Sequence, residues 1–462
     1  MAGGVLSARR GGILCHLTSL PGDSKRGTLG DSALRFLDFM HQAGLSVWQM
    51  LPLNPPDEYG SPYHSESLFA LNAQLIDPAL GLHEPDALRR YVRTHQDAYE
   101  RFEAGQTYWL DDFCRFDVAR ALHGADWTGW PPALRRRDAG ALAGFDRTHA
   151  AALEAVRFAQ FAIADGFAQL RAEAVARSIR LFGDMPLYPA FESADVWAHQ
   201  DVFLLDARQR PSCVAGVPPD YFSETGQLWG NPVYDWDRLA ETGFTWWIER
   251  VKAQLDLFDL VRIDHFRGLE AFWAVPPDAT SAVAGAWRPA PGHAVLSALR
   301  EQFDPLPVVA EDLGIITPQV DALRESFDLP GMRVAQFAFS GDARNPHLPR
   351  NYVANTVAYT GTHDNDTTLG WYMSLDDGIR TQVDRLTGVA NGMPWALIDV
   401  VLGSVAKLAI VPLQDFLSLD GAHRMNTPGE TDGNWRWRFD SSRLTPQLAD
   451  RIGAALAKTG RA

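Results

Sequence analysis

Short apolar runs that end abruptly in charge recur along this chain, with room for a helix between successive runs. Residues 260–263 are mostly apolar and branched, and charge then arrives at Asp264, His265 and Arg267. Residues 307–310 lead into Glu311 and Asp312, residues 356–359 into a stretch holding His363 and Asp364, and residues 179–183 into Asp184. A strand that stays apolar along its length and finishes in acid suits a buried parallel sheet with its chemistry gathered at one edge. Further strand candidates at 12–17, 46–51, 332–337 and 408–413 bring the number to eight, with helical patterns between them. The pattern predicts an α/β fold, one (β/α)8 TIM barrel over residues 1–462 with helical and loop insertions.

Two segments do not fit the strand and helix alternation. Residues 84–176 are rich in Ala, Arg and Asp and predict a helical insertion subdomain between the second and third barrel strands, its Arg135-Arg136-Arg137 run a solvated face. Residues 214–236 are so full of Gly and Pro that neither helix nor strand is expected there. A long irregular run in a compact domain is usually functional, and Tyr221, Phe222 and Trp229 make this one read as a lid over a cleft.

Charge and cysteine content narrow the partners. A net charge of -15, from 42 basic and 57 acidic side chains, argues against nucleic acid or an anionic membrane and favours a neutral substrate. Cys15, Cys114 and Cys213 are odd in number and widely spaced, with no zinc pattern, so a reducing cytoplasm is expected. The amino terminus lacks the order of regions of a signal peptide, and no run approaches the roughly 20 apolar residues of a membrane span. Many of the 15 Trp and 11 Tyr lie in Gly/Pro-rich segments, where some are expected to line a groove. Sugar rings offer C–H faces that stack on such rings, and hydroxyls that need carboxylates and amides.

If the strands share a barrel, Asp264, Glu311 and Asp364 converge at one mouth. Cleaving a glycosidic bond with retention needs a carboxylate nucleophile and a carboxylic acid that protonates the leaving oxygen. Asp264 suits the nucleophile, because Arg262 lies two residues back on the same strand face and can hold it ionised. Glu311 suits the acid, and Asp364 a holder of sugar hydroxyls. Spacing alone does not separate these roles, and each acid could instead be the structural partner of a nearby base, as Asp264 could be for Arg262. A metal-dependent hydrolase built on His16, His265 and His363 is another reading, although none falls in a His-x-His or HExxH spacing. Lys407 invites a Schiff base but precedes the eighth apolar run, at the wrong end of a strand.

The same motifs resemble a known family. Arg262-Ile-Asp264-His265-Phe-Arg267-Gly268, Ala310-Glu311-Asp312-Leu-Gly314 and Gly361-Thr-His363-Asp364-Asn365-Asp366 are similar to those of the 4-alpha-glucanotransferases, or amylomaltases, of glycoside hydrolase family 77 in the alpha-amylase clan. The likeness extends to Ser61-Pro-Tyr63, Gly183-Asp184, the segment 214–236 and the run from Asp420 to Glu430. It implies a retaining transglycosylase that needs no cofactor and no metal, and acts on malto-oligosaccharides, amylose or starch- and glycogen-derived glucans. It further implies Asp264 as nucleophile, Glu311 as general acid/base and Asp364 as transition-state stabiliser. Tyr59, Tyr63, Asp184, Trp229, Asn231, Arg262, His265, Phe337 and His363 are its substrate-binding candidates, with Tyr59 on a loop one residue shorter than the family's. A hydrolase of alpha-amylase type and an inactive glucan-binding scaffold are the alternatives.

Overall fold

The computed structural model describes residues 4–22, 25–219, 224–388, 392–430 and 432–461. Strands run in chain order as β1 (Arg10–Leu14), β2 (Val47–Gln49), β3 (Arg180–Met185), β4 (Val214–Val217), β5 (Gln227–Pro232) and β6 (Leu260–Ile263). They continue as β7 (Ala271–Val275), β8 (Ala286–Pro289), β9 (Val308–Ala310), β10 (Gly331–Val334), β11 (Thr356–Tyr359) and β12 (Leu408–Pro412). Eight of them form a parallel sheet in the order β10-β11-β12-β1-β2-β3-β6-β9, and all eight expected barrel strands are present. The ends of this sheet meet. The Ala310 N–H donates to the Pro330 carbonyl at 2.9 Å, and Asp312 accepts from the Met332 N–H at 2.6 Å and from Arg333 at 2.9 Å. The chain is thus a (β/α)8 barrel, closed at a seam clamped by the neighbour of Glu311.

Strand alternation decides what fills the barrel. Leu14, Val47, Phe182, Leu260, Val309, Met332, Val357 and Ile410, one from each barrel strand, pack together inside it. Their neighbours Ile13, Trp48, Leu181, Val261, Val308, Ala358 and Ala409 belong to the main core under the helices. Two residues further along, the inward series becomes Asp184 after Phe182, Arg262 and Asp264 after Leu260, and Glu311 after Val309. The rule that buries the apolar layers therefore brings the charges to the carboxyl-end mouth. Gly183 is required there by close approach, since a Cβ on it would stand 2.2 Å from the ring of Phe258.

Between β2 and β3 the chain forms the helices Pro85–Thr94, Gln96–Gly105, Leu110–His123, Ala139–Thr148 and Ala150–Ala176, with shorter turns. The Arg135-Arg136-Arg137 run is not the solvated face that composition suggested. Only Arg136 is exposed, while Arg137 pairs with Asp112 at 2.8 Å and lies over Trp197, and Arg135 donates to the Thr128 carbonyl. Residues 214–236 also differ from expectation, because much of the segment is strand. β4 and β5 form an antiparallel hairpin, and β4 pairs with β7, which pairs with β8, in a four-stranded sheet. Its glycines and prolines mask a strand whose partner, β7, lies more than 50 residues away. Tyr221 and Phe222 fall outside the described residues.

At the opposite end of the barrel Arg461 is buried, its guanidinium donating to the carbonyls of Leu402, Arg10, Ser404 and Ala406 at 2.6 to 3.0 Å. It staples the amino ends of β1 and β12 to the helix before β12. Arg461→Ala leaves those buried carbonyls unpaired and should cost about 2–4 kcal/mol. Calorimetry checks this: the Tm should fall by several degrees, and a Tm within one degree of the parent would refute the staple.

Candidate active site

The deepest part of the barrel mouth is a charge network on a single buried arginine. Arg262 Nε donates to Asp184 Oδ1 at 2.9 Å, and its Nη2 lies 2.8 Å from both Asp184 Oδ2 and Asp264 Oδ1. Asp184 is fully buried, and its Oδ2 also accepts from the Tyr63 hydroxyl at 2.7 Å, which in turn accepts from Arg262 at 3.2 Å. Asp264 is held at one oxygen yet keeps 31% of its side chain open to the cleft. That is the exposure a group needs if it is to meet a substrate atom.

Glu311 follows β9, the neighbour of β6, and its backbone N–H donates to Ile263 at 3.1 Å. Its partners are uncharged. Oε2 accepts from the His265 N–H at 2.7 Å and Oε1 from the Leu313 N–H at 2.9 Å. His265 adopts a left-handed backbone, φ 50°, rare for a residue with a side chain, and this turn aims its N–H at the acid. Over the His265 ring stands Trp229 of β5, edge-on at 4.8 Å, so the hairpin covers this side of the cleft.

The third acid comes from beyond β11. Asp364 Oδ1 accepts from the Asn426 amide at 2.7 Å, its Oδ2 lies 3.3 Å from His363 Nε2, and its carbonyl accepts from Arg424 at 3.0 Å. The His363 ring stacks on Tyr63 at 5.2 Å and 11°, and Trp435 leans on both rings. Asn426, Arg424 and Trp435 were assigned no part from sequence. The signal for Arg424 and Asn426 was the resemblance of the run from Asp420 to Glu430, which stops short of Trp435, and only the fold places them against Asp364.

Asp184, Arg262, Asp264, Tyr63, Glu311, His265, Trp229, Asp364 and His363 are thus joined in one constellation. Three other candidates have surroundings of their own. Tyr59 is 46% exposed on its loop, where its N–H donates to Asp57. Asn231 is buried and donates to the Pro189 carbonyl at 2.8 Å, tying the hairpin to the loop after β3. Phe337 lies on a 3-10 turn after β10, half-buried on the inner barrel layer and edge-on to His347. His16 and His265 are made less basic by burial, to about 3 and about 4, and no three His, Cys, Asp or Glu among the described residues gather as a metal would require. Lys407 precedes β12, at the end of the barrel away from the acids.

A protein-family model described as 4-alpha-glucanotransferase matches residues 15–92 and 85–444. The chain belongs to glycoside hydrolase family 77. It is similar to the 4-alpha-glucanotransferase of Thermus thermophilus, 43% identical over 97% of this chain and 98% of that one. It is also similar to that of Synechocystis, 42% identical over 99% of both. Among solved structures, the amylomaltase from Streptococcus agalactiae in complex with acarbose superposes with a TM-score of 0.93 at 31% identity, covering 98% of this chain and 99% of the other. The 4-alpha-glucanotransferases are enzymes that transfer glycosyl groups, and this chain is one of that family.

In this family 77 site the acids stand in contrasting environments. Burial raises the carboxyls of both Asp264 and Glu311, and the charge of Glu311 adds to the rise of Asp264 while Arg262 opposes it. Within the pair the charge settles on Asp264, which receives the guanidinium hydrogen bond directly, and Glu311, pushed up to about 7, keeps the proton. Burial lowers His363, so a neutral imidazole faces Asp364. Burial also raises the Tyr63 phenol, which remains a donor to Asp184.

The folded chain therefore keeps a proton on Glu311 that the unfolded chain has lost above about pH 4.3. This group's contribution to stability falls as pH rises through the interval up to about 7. A 13C carboxyl resonance, assigned by its loss in Glu311→Gln, should titrate near pH 7. A Glu311 that titrates below pH 5 would remove the basis for expecting it to act as an acid.

Proposed function

We propose that this chain transfers alpha-1,4-glucan segments from a malto-oligosaccharide donor to the 4-hydroxyl of an acceptor glucose or glucan, by a retaining double displacement. The observation that carries this reading is the contrast between two acids on neighbouring strands, Asp264 on a guanidinium and Glu311 on neutral N–H groups. In the first step an Asp264 carboxylate oxygen bonds to the anomeric carbon as the glycosidic C–O bond breaks. The electron pair goes to the leaving oxygen, which takes the Glu311 proton. In the second step Glu311 removes the proton of the acceptor 4-hydroxyl, whose oxygen displaces Asp264. Two inversions give net retention. Asp364, oriented by Asn426 and His363, holds sugar hydroxyls as the ring distorts, and the face of Tyr63 and the buried Asp184 bound the donor sugar.

Transfer over hydrolysis requires that the glycosyl-enzyme be shielded from water until an acceptor arrives. Trp229 over His265 supports that, with the β4–β5 hairpin acting as the lid. Acarbose in the amylomaltase from Streptococcus agalactiae supports malto-oligosaccharides as the substrate class. A cytoplasmic location is in keeping with three buried, unpaired cysteines, and no helix among the described residues is long and apolar enough to cross a membrane.

Incubation with maltotriose decides between the readings. Transfer yields glucose together with a ladder of shorter and longer chains, whereas only shorter products would establish a hydrolase. Asp264→Asn should lower kcat at least about a thousandfold; parental turnover in that variant would exclude Asp264 as the nucleophile, and no product from the parental chain itself would leave only a binding scaffold. Asn426→Ala removes one hydrogen bond to a charged group and should lower kcat/KM by about ten- to a hundredfold. An effect below twofold would exclude Asn426 from orienting Asp364.

A further inference from the structure

The sheet that carries the lid has a second face. Strand alternation sends Trp229 toward His265 and its neighbour Leu228 the other way. Leu228 pairs with Gly216, Gly216 with Trp273, and Trp273 with Trp287, so these residues share that outer face. Leu228 and Trp287 are exposed, Trp287 at 37%.

Trp287 is not a loose surface side chain. The guanidinium of Arg267 lies 3.9 Å from its ring centroid, and Trp273 abuts it at 5.2 Å with the ring planes at 67°. Arg267 also donates to the Ile315 carbonyl at 2.6 Å. These contacts locate the ring with respect to the chemistry. Arg267 is two residues past His265, whose N–H holds one oxygen of Glu311, and Ile315 is two residues past Leu313, whose N–H holds the other. Trp287 and the 49% exposed Ile315 therefore flank the outer side of the turn and loop that cradle the acid/base.

We propose that Trp287, with Ile315 beside it, is a stacking platform for a glucose unit of a long acceptor glucan, beyond the covered cleft. The inference rests on the transferase reading, because Glu311 protonates the departing glucan and deprotonates the incoming one, so both lie on its side of the cleft. An indole fixed by two neighbours loses little conformational freedom on binding and offers apolar area to the C–H face of a pyranose. A neutral occupant also suits a chain of net charge -15. Apolar exposure of this kind, continuous with a site, marks a binding surface.

The test uses the full chain, maltotriose as donor, and glucose or labelled maltohexaose as acceptor. Trp287→Leu should raise the KM for maltohexaose about five- to tenfold and that for glucose less than twofold, and Trp287→Phe should recover most of the loss. An equal rise for both acceptors overturns the platform. So does a fall in kcat with a shifted basic limb of the pH profile, because Trp287 would then act only by supporting Arg267 and the Glu311 cradle. Absence of transfer in the parental chain is a separate failure, that of the transferase reading itself.

Discussion

A guanidinium buried at the mouth of the barrel, with two carboxylates and a phenol around it, is the interaction on which the site depends. Isolated in that position, Arg262 or Asp184 would incur a desolvation penalty of several kcal/mol, and together they are tolerable only because every partner is in hydrogen-bonding range. Asp184 neutralises the arginine from below, which leaves Nη2 able to serve Asp264 as well. The nucleophile candidate is thereby positioned by a group that cannot move, while half of its carboxylate stays available to the cleft.

Glu311 shows the complementary arrangement. It lies one strand away, shares the same cleft and takes its hydrogen bonds from neutral N–H groups, and burial raises it against the charge of Arg262, which acts on it without a direct hydrogen bond. Two acids whose surroundings separate their proton affinities are what double displacement requires. The geometry that does this is also structural. Asp312, the next residue, clamps β9 to β10, so the acid is carried on the seam of the barrel, and the left-handed turn at His265 completes its cradle.

The four-stranded sheet joins the two sides of the site. Its inner face sets Trp229 over His265, and through Arg267 its other strands reach the loop behind Glu311. Little of this was legible in residue order. Residues 214–236 look irregular because Gly216, Gly230 and several prolines suppress the usual strand signals, and the strands exist because β7 supplies distant hydrogen-bond partners. The arginine run of the insertion departs from its solvated expectation for a related reason, since the charge partner Asp112 and the ring of Trp197 come from other helices.

What residue order determined by itself was the period and the punctuation: eight apolar runs of strand length, separated by helices, four of them finishing in acid. Alternation along a strand then obliges Leu260, Arg262 and Asp264 to point the same way, so their pairing was readable before any fold was known. Tertiary structure alone decided which distant groups complete each acid. Asn426 reaches Asp364 from 62 residues away and Tyr63 reaches Asp184 from 121, whereas Tyr59, four residues before Tyr63, is left in solvent. Local periodicity specifies a direction for each side chain, but a hydrogen bond needs two chain segments to arrive at the same place, and only closure of the barrel sets that distance.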